Sequence, residues 1–187
     1  LQSERLLDAR TKLMRALERD PKAYRAHMLL AGYYMAHVGH FRLALQYTKQ
    51  AIALFTAKNG NPPYYSYVAR AEHTQLLYLL SQARLNLDDY QGALTVLDEY
   101  SSYDYNDDWY SGTRAWVLMK LNRLKDAVTE SRKGLRESAE PGRNLNMLGI
   151  LLSMTGDRAA SIDVLKEAIR YEMSMGKFGS PATPLNN

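Results

Sequence analysis

Leu145-Asn146-Met147-Leu148-Gly149-Ile150-Leu151-Leu152-Ser153-Met154-Thr155-Gly156-Asp157-Arg158-Ala159-Ala160-Ser161-Ile162-Asp163-Val164-Leu165-Lys166-Glu167-Ala168 decides the fold. Apolar residues recur at helical spacing on both sides of Gly156-Asp157, so the stretch reads as two amphipathic helices joined by a tight turn. The same pattern extends outward along the chain. Amphipathic segments are predicted over Ser3 to Arg19, Lys22 to Val38, Phe41 to Phe55, Tyr64 to Leu87, Tyr90 to Tyr100, Asp108 to Leu121 and Leu124 to Leu135, ahead of Leu145 to Met154 and Arg158 to Tyr171. The breaks are short: Asp20-Pro21, Gly39-His40, Asn59-Gly60-Asn61-Pro62-Pro63, Asp88-Asp89, Asp104 to Asp107, Asn122-Arg123, and Ala139-Glu140-Pro141-Gly142. Helices of this length joined by such turns are antiparallel neighbours. Alternating β-branched runs are missing, and an all-α chain is predicted.

Aligning the helix pairs on the small residue of each second helix picks out Ala9, Ala44, Ala93, Ala127 and Ser161, at separations of 35, 49, 34 and 34. The outlier is one period plus 15 residues, and the surplus lies around Asn59 to Glu72. The period and its residues resemble the tetratricopeptide repeat (TPR) family. Leu148-Gly149, Gly156, Leu165 and Ala168 match its pattern, as do Gly32, Gly39, Phe41, Ala44 and Ala51. Tyr90, Ala93 and Leu97 fit too, with Ala115, Leu118, Leu124 and Ala127, although Ser81 and Ala115 replace the first-helix Gly and Arg114 stands where an apolar residue is usual.

The resemblance implies a right-handed α-α superhelix of four helix pairs preceded by an orphan helix. The expected organisation is one array over residues 1–187: a partial repeat over 1–21, repeats over 22–57, 74–107, 108–141 and 142–174, an insertion over 58–73, and a tail or a further repeat beginning at 175–187. Both ends read as cut. Residues 16–21 resemble the end of a second helix, and Thr183-Pro184-Leu185-Asn186-Asn187 echoes Arg143-Asn144-Leu145-Asn146-Met147.

Composition narrows the function. The 187 residues suffice for a sizeable core, with roughly 70% of the surface buried on folding. With no Cys, disulfides, thiolate metal sites and a cysteine nucleophile are excluded. The chain opens on Leu1-Gln2-Ser3 with neither an initiator Met nor a signal peptide, and its longest mainly apolar stretch, Met28 to Val38, is too short to span a bilayer. Lys and Arg number 24 against 20 Asp and Glu, a net +4 too mild to require a polyanion. Lys120, Arg123, Lys125, Arg132, Lys133 and Arg136 are interrupted by Asp126, Glu130 and Glu137, and read as a solvated helical face rather than a nucleic-acid site.

Catalytic constellations are missing from the sequence. His37 and His40 stand three apart but lack a third ligand. Asp104, Asn106 and Asp108 open like a calcium loop, yet Trp109 stands where the turn Gly is needed, so helix capping by Asp107 and Asp108 is the better reading. Phosphate loops and nucleophile elbows are absent. No cofactor and no enzymatic activity are expected.

Seven of the 14 Tyr fall in two clusters, Tyr64-Tyr65-Ser66-Tyr67 and Tyr100, Tyr103, Tyr105 and Tyr110 around Trp109. Aromatics with a polar tip suit interfaces, although TPR-like repeats also pack aromatics in their cores. The resemblance assigns first helices to the concave surface. Repeat phase then places Leu29, Tyr33 and His37 there, with Tyr78, Gln82 and Asn86, with Trp109, Thr113 and Trp116, and with Arg143, Asn146 and Ile150. That aromatic, amide-rich set departs from the carboxylate-clamp version of the family, because no Lys heads these helices and only Arg143 is suitably placed. The expected function is a protein-protein interaction scaffold for a peptide or partner helix. The competing readings are self-association and a groove filled by another stretch of the same polypeptide.

Overall fold

A computed structural model describes residues 2–103, 109–137 and 141–175, without the side chains of residues 2–4, 137 and 143. The described residues form nine helices and no strands. They are α1 (Gln2–Arg19), α2 (Tyr24–Tyr33), α3 (Phe41–Asn59), α4 (Tyr67–Leu85), α5 (Tyr90–Ser101), α6 (Trp109–Lys120), α7 (Leu124–Glu137), α8 (Gly142–Met154) and α9 (Arg158–Ser174). The predicted Asp107 and Asp108 caps, the calcium-loop reading, Tyr105 and the tail beyond residue 175 lie outside the described residues.

The chain divides into two compact units, Leu1–Tyr105 and Asn106–Asn187. In the first, α1 leads two helix pairs, α2 with α3 and α4 with α5, and α2 also touches α4. In the second, α6 pairs with α7 and α8 with α9, while α6 touches α8.

The repeat register is written in the backbone. Gly39, Asp88, Asn122 and Gly156 all adopt positive φ, between 56° and 90°, and each closes the turn inside a helix pair. Their separations of 49, 34 and 34 are those of Ala44, Ala93, Ala127 and Ser161, so turn and packing position repeat in step. A left-handed residue ends a helix by letting the chain reverse while its amides still reach the last carbonyls. In three of the four turns the next side chain caps the following helix: His40 Nδ1 accepts from Leu43 N, Asp89 from Gly92 N and Asp157 from Ala160 N.

Ala44, Ala93 and Ala127 are fully buried and Ser161 nearly so, with Ser161 Oγ donating to Gly149 O at 2.7 Å. Small side chains there let the two helices of a pair approach closely. Ala9 is the exception and is exposed. No first helix pairs with α1 among the described residues.

α3 runs on to Asn59 and α8 begins at Gly142, past the predicted bounds, and two further differences have a packing reason. The helix predicted from Tyr64 starts at Tyr67. Tyr64 instead stays in the loop and is buried, its hydroxyl donating to Gly60 O at 2.6 Å and its ring edge-on to Phe55 at 5.1 Å and to His73 at 4.9 Å. Burying an aromatic ring outweighs one more helical turn there. The segment predicted as helix to Val38 turns π-helical over Tyr34–Val38. Its first residue, Tyr34, is buried, stacks on Tyr47 at 5.6 Å and accepts a bond from Arg10 Nε at 2.9 Å.

Arg114, odd in the sequence pattern, is explained by its partner. Its Nη1 donates to Glu130 Oε2 at 2.7 Å, and both side chains are largely buried. An ion pair between α6 and α7 occupies the space of an apolar contact.

Candidate functional site

In the first unit, α1, α2 and α4 enclose a cleft of about 710 Å3. α1 contributes Leu6, Ala9, Lys12 and Leu13; α2 and the π-helical turn contribute Met28, Leu29, Gly32, Tyr33 and His37; α4 contributes Gln75 and Leu79. The spacings are helical, three and four apart on α1 and four on α4, so each helix presents one face to the cleft. Leu29 is more than half exposed there, a large apolar side chain open to solvent. Lys12, Tyr33, His37 and Gln75 are the polar side chains of the lining, and no carboxylate is among them. Tyr33 and His37 rings lie 5.9 Å apart, one turn along the same face.

Three of the residues expected on this surface, Leu29, Tyr33 and His37, meet in this cleft. Tyr78 and Gln82 of α4, and Asn86 just past its end, are not in the lining, to which α4 instead contributes Gln75 and Leu79, one turn earlier. Tyr78 and Gln82 are half-buried, and the Asn86 amide is spent on its own helix end, donating to Gln82 O at 2.8 Å. The contribution of α1 goes beyond the expected set, which drew only on first helices for the concave surface.

The second unit carries the other expected residues. Trp109 is half-buried and edge-on to Tyr110 at 6.2 Å; Trp116 is half-buried with the Lys120 ammonium 5.1 Å from its ring centre. Thr113 is buried, which leaves it little surface to offer. On α8, Ile150 and Asn146 are half-buried, and Asn146 Oδ1 is buried without a hydrogen-bond partner. Arg143 lies in α8, with its side chain outside the description.

The tyrosine clusters divide between core and surface. Tyr64, Tyr100 and Tyr110 are buried, whereas Tyr65 and Tyr67 are almost wholly exposed. Tyr103 packs on His73 at 5.3 Å and donates to Glu99 Oε1 at 2.7 Å. His73, held among Phe55, Tyr64 and Tyr103, has its imidazole pKa pushed below the usual value by burial, with the Glu99 carboxylate acting weakly the other way.

Among the described residues no group of three metal-ligating side chains occurs, and no helix is long and apolar enough to cross a membrane. His40 is used as a helix cap, its Nδ1 3.3 Å from Leu43 N. The interrupted basic face is also engaged, with Arg123 bonded to Asp126 at 2.8 Å.

Solved structures share this fold. The chain is similar to MamA, with a TM-score of 0.72 and 18% identity over 95% of this chain and 94% of that one. It is similar to TPR-like repeats of a putative kinesin light chain of Podosopora anserina, with a TM-score of 0.74 and 15% identity over 94% and 91%. It is also similar to YrrB, a TPR protein with an unusual peptide-binding site, with a TM-score of 0.67 and 16% identity over 98% and 84%. No family model and no curated protein matches the sequence. The fold is all-α and of the tetratricopeptide-repeat type.

Proposed function

We propose that this chain is a non-enzymatic scaffold that recognises a protein partner, and that the cleft of the first unit is its principal contact surface. The observation that carries the reading is Leu29, an exposed leucine beside Tyr33 in a 710 Å3 cleft whose walls are otherwise mostly apolar. A concave, mainly apolar surface with a few polar groups is what a peptide or partner helix needs to bury its own apolar side chains. YrrB, which shares the fold, has a peptide-binding site, and that supports the class of ligand. In the second unit, Trp109, Trp116, Asn146 and Ile150, each half-buried, are proposed as a further contact surface.

The test is affinity capture by the wild-type chain beside Leu29→Asp, Tyr33→Ala and Trp116→Ala, followed by titration of each retained protein. Loss of binding in Leu29→Asp and Tyr33→Ala, with little dependence on salt, supports the reading. A partner that survives all three changes and is released by moderate salt would move recognition to the basic face and overturn it.

A further inference from the structure

Gly32 narrows what the cleft can hold. Glycine weakens a helix interior relative to alanine, so a mid-helix glycine needs a neighbour that occupies the space of its missing Cβ. Elsewhere that neighbour is visible. At Gly149, the same position of a later repeat, a Cβ would lie 2.6 Å from Leu165; at Gly134 it would lie 2.8 Å from Asn144 and Ser111. At Gly32 nothing lies within 4 Å. The residue matching Leu165 is Thr48, whose hydroxyl is turned to Ala44 O at 2.8 Å.

Ala9 repeats the pattern on the opposite wall. Ala44, Ala93, Ala127 and Ser161 hold the matching position and are buried against the first helix of their own pair, while Ala9 opens on the cleft. Two small residues that elsewhere accept a close neighbour thus border one vacant trough, with Leu6 and Leu13 along one side and Leu29 along the other. A trough walled by helix faces, with small residues where close approach is needed, is the receiving surface for a helix. Its polar side chains set the charge. Lys12 and His37 are in the lining without any acid, and the exposed Lys12–Asp8 pair at 2.7 Å is weak enough to exchange for another carboxylate.

We propose that the cleft receives one amphipathic α-helix of a partner protein, which seats a large apolar side chain over Gly32 and carries a carboxylate to Lys12 and His37. The inference rests on the cleft being the partner site and adds the guest's conformation, its close approach and its charge.

The probe is a fluorescein-labelled peptide of about four helical turns, with leucines on one face and glutamates flanking them, read by anisotropy beside its Glu→Gln twin. The glutamate peptide binds saturably and about threefold to fivefold tighter than the twin, the size expected of one exposed ion pair. Gly32→Leu fills the floor and weakens binding about tenfold without loss of helicity, since its side chain enters empty space. Lys12→Glu reverses the preference between glutamate and lysine versions of the peptide. Equal affinity of both twins, with Leu29→Asp still abolishing binding, overturns the carboxylate and leaves the partner site standing. Unchanged affinity in Gly32→Leu overturns the close approach over α2. Failure of every helical peptide, while a captured partner still depends on Leu29, overturns the helix but not the site; failure of both overturns the two readings together. A doubled mass in light scattering that Leu29→Asp abolishes assigns the cleft to a second copy instead. A longer polypeptide that contains these residues and refuses the peptide assigns it to the same chain.

Discussion

Gly32 and Gly149 occupy the same position of two repeats, yet they have opposite surroundings. In the second unit Leu165 of α9 fills the space above Gly149, and Arg114 with Glu130 fills the gap between α6 and α7. In the first unit the space above Gly32 is vacant and opens into a cleft. At this position the glycine is therefore a packing requirement in one repeat and a vacancy in the other. What differs is the partner side chain sixteen positions on, Leu165 against Thr48, and not the glycine.

The largest effect should come from the filled unit. Arg114→Met leaves Glu130 buried without its cation and should cost about 3 kcal/mol, whereas Arg114→Met combined with Glu130→Met should be close to neutral. Urea unfolding of the single and double variants measures both, and equal losses would mean that the pair does not act as a unit. Next, Ala93→Leu and Ala127→Leu should each overpack a closed contact by about 1 to 3 kcal/mol, while Ala9→Leu should cost almost nothing because it enters the cleft. Unchanged melting temperatures in both of the first two variants would show that the repeat register is wrong.

The two glycines themselves give the sharpest contrast. Gly149→Ala drives a methyl group into Leu165 and should destabilise by about 1 kcal/mol, after the helix-propensity gain is subtracted. Gly32→Ala meets nothing and should stabilise by about 0.5 to 1 kcal/mol. Thermal melts that give the two changes the same sign would erase the distinction between the units.

Acid separates the units in another way, since all four histidines lie in the first. His73 has its pKa lowered by burial, so between the folded pKa and the ordinary 6.5 the unfolded chain binds more protons than the folded one. The stability this residue contributes is complete above pH 6.5 and falls as the pH drops from there toward the folded pKa. His73→Phe should flatten that part of the melting-temperature profile, and an unchanged slope would place the proton uptake elsewhere. The smallest effect is expected from Lys125→Ala. Its exposed side chain on α7 should change neither stability nor partner affinity beyond about 0.5 kcal/mol, measured by melting and titration.

The repeat was legible because its signals are local. Apolar spacing gives the helices, and a residue tolerant of positive φ with a capping neighbour gives Gly39-His40, Asp88-Asp89 and Gly156-Asp157. The insertion was legible as a 15-residue surplus but not in form, because no Gly or Pro between Tyr64 and Glu72 marks the helix start, and Tyr64 has Phe55 and His73 to pack against in the loop. Of the cleft-lining residues, Leu29, Tyr33 and His37 followed from repeat phase. Gln75 and Leu79 did not, since a one-turn shift along α4 leaves the apolar pattern almost unchanged.

The sequence by itself determined the period, the turns and the small residues at which helices approach, because each depends on neighbours a few positions away. Only the tertiary structure decided which of those small residues are filled. Whether Leu165 reaches Gly149, or nothing reaches Gly32 and Ala9, depends on side chains brought together from different helices, and the outcome is a closed contact at the one position and an open cleft at the others.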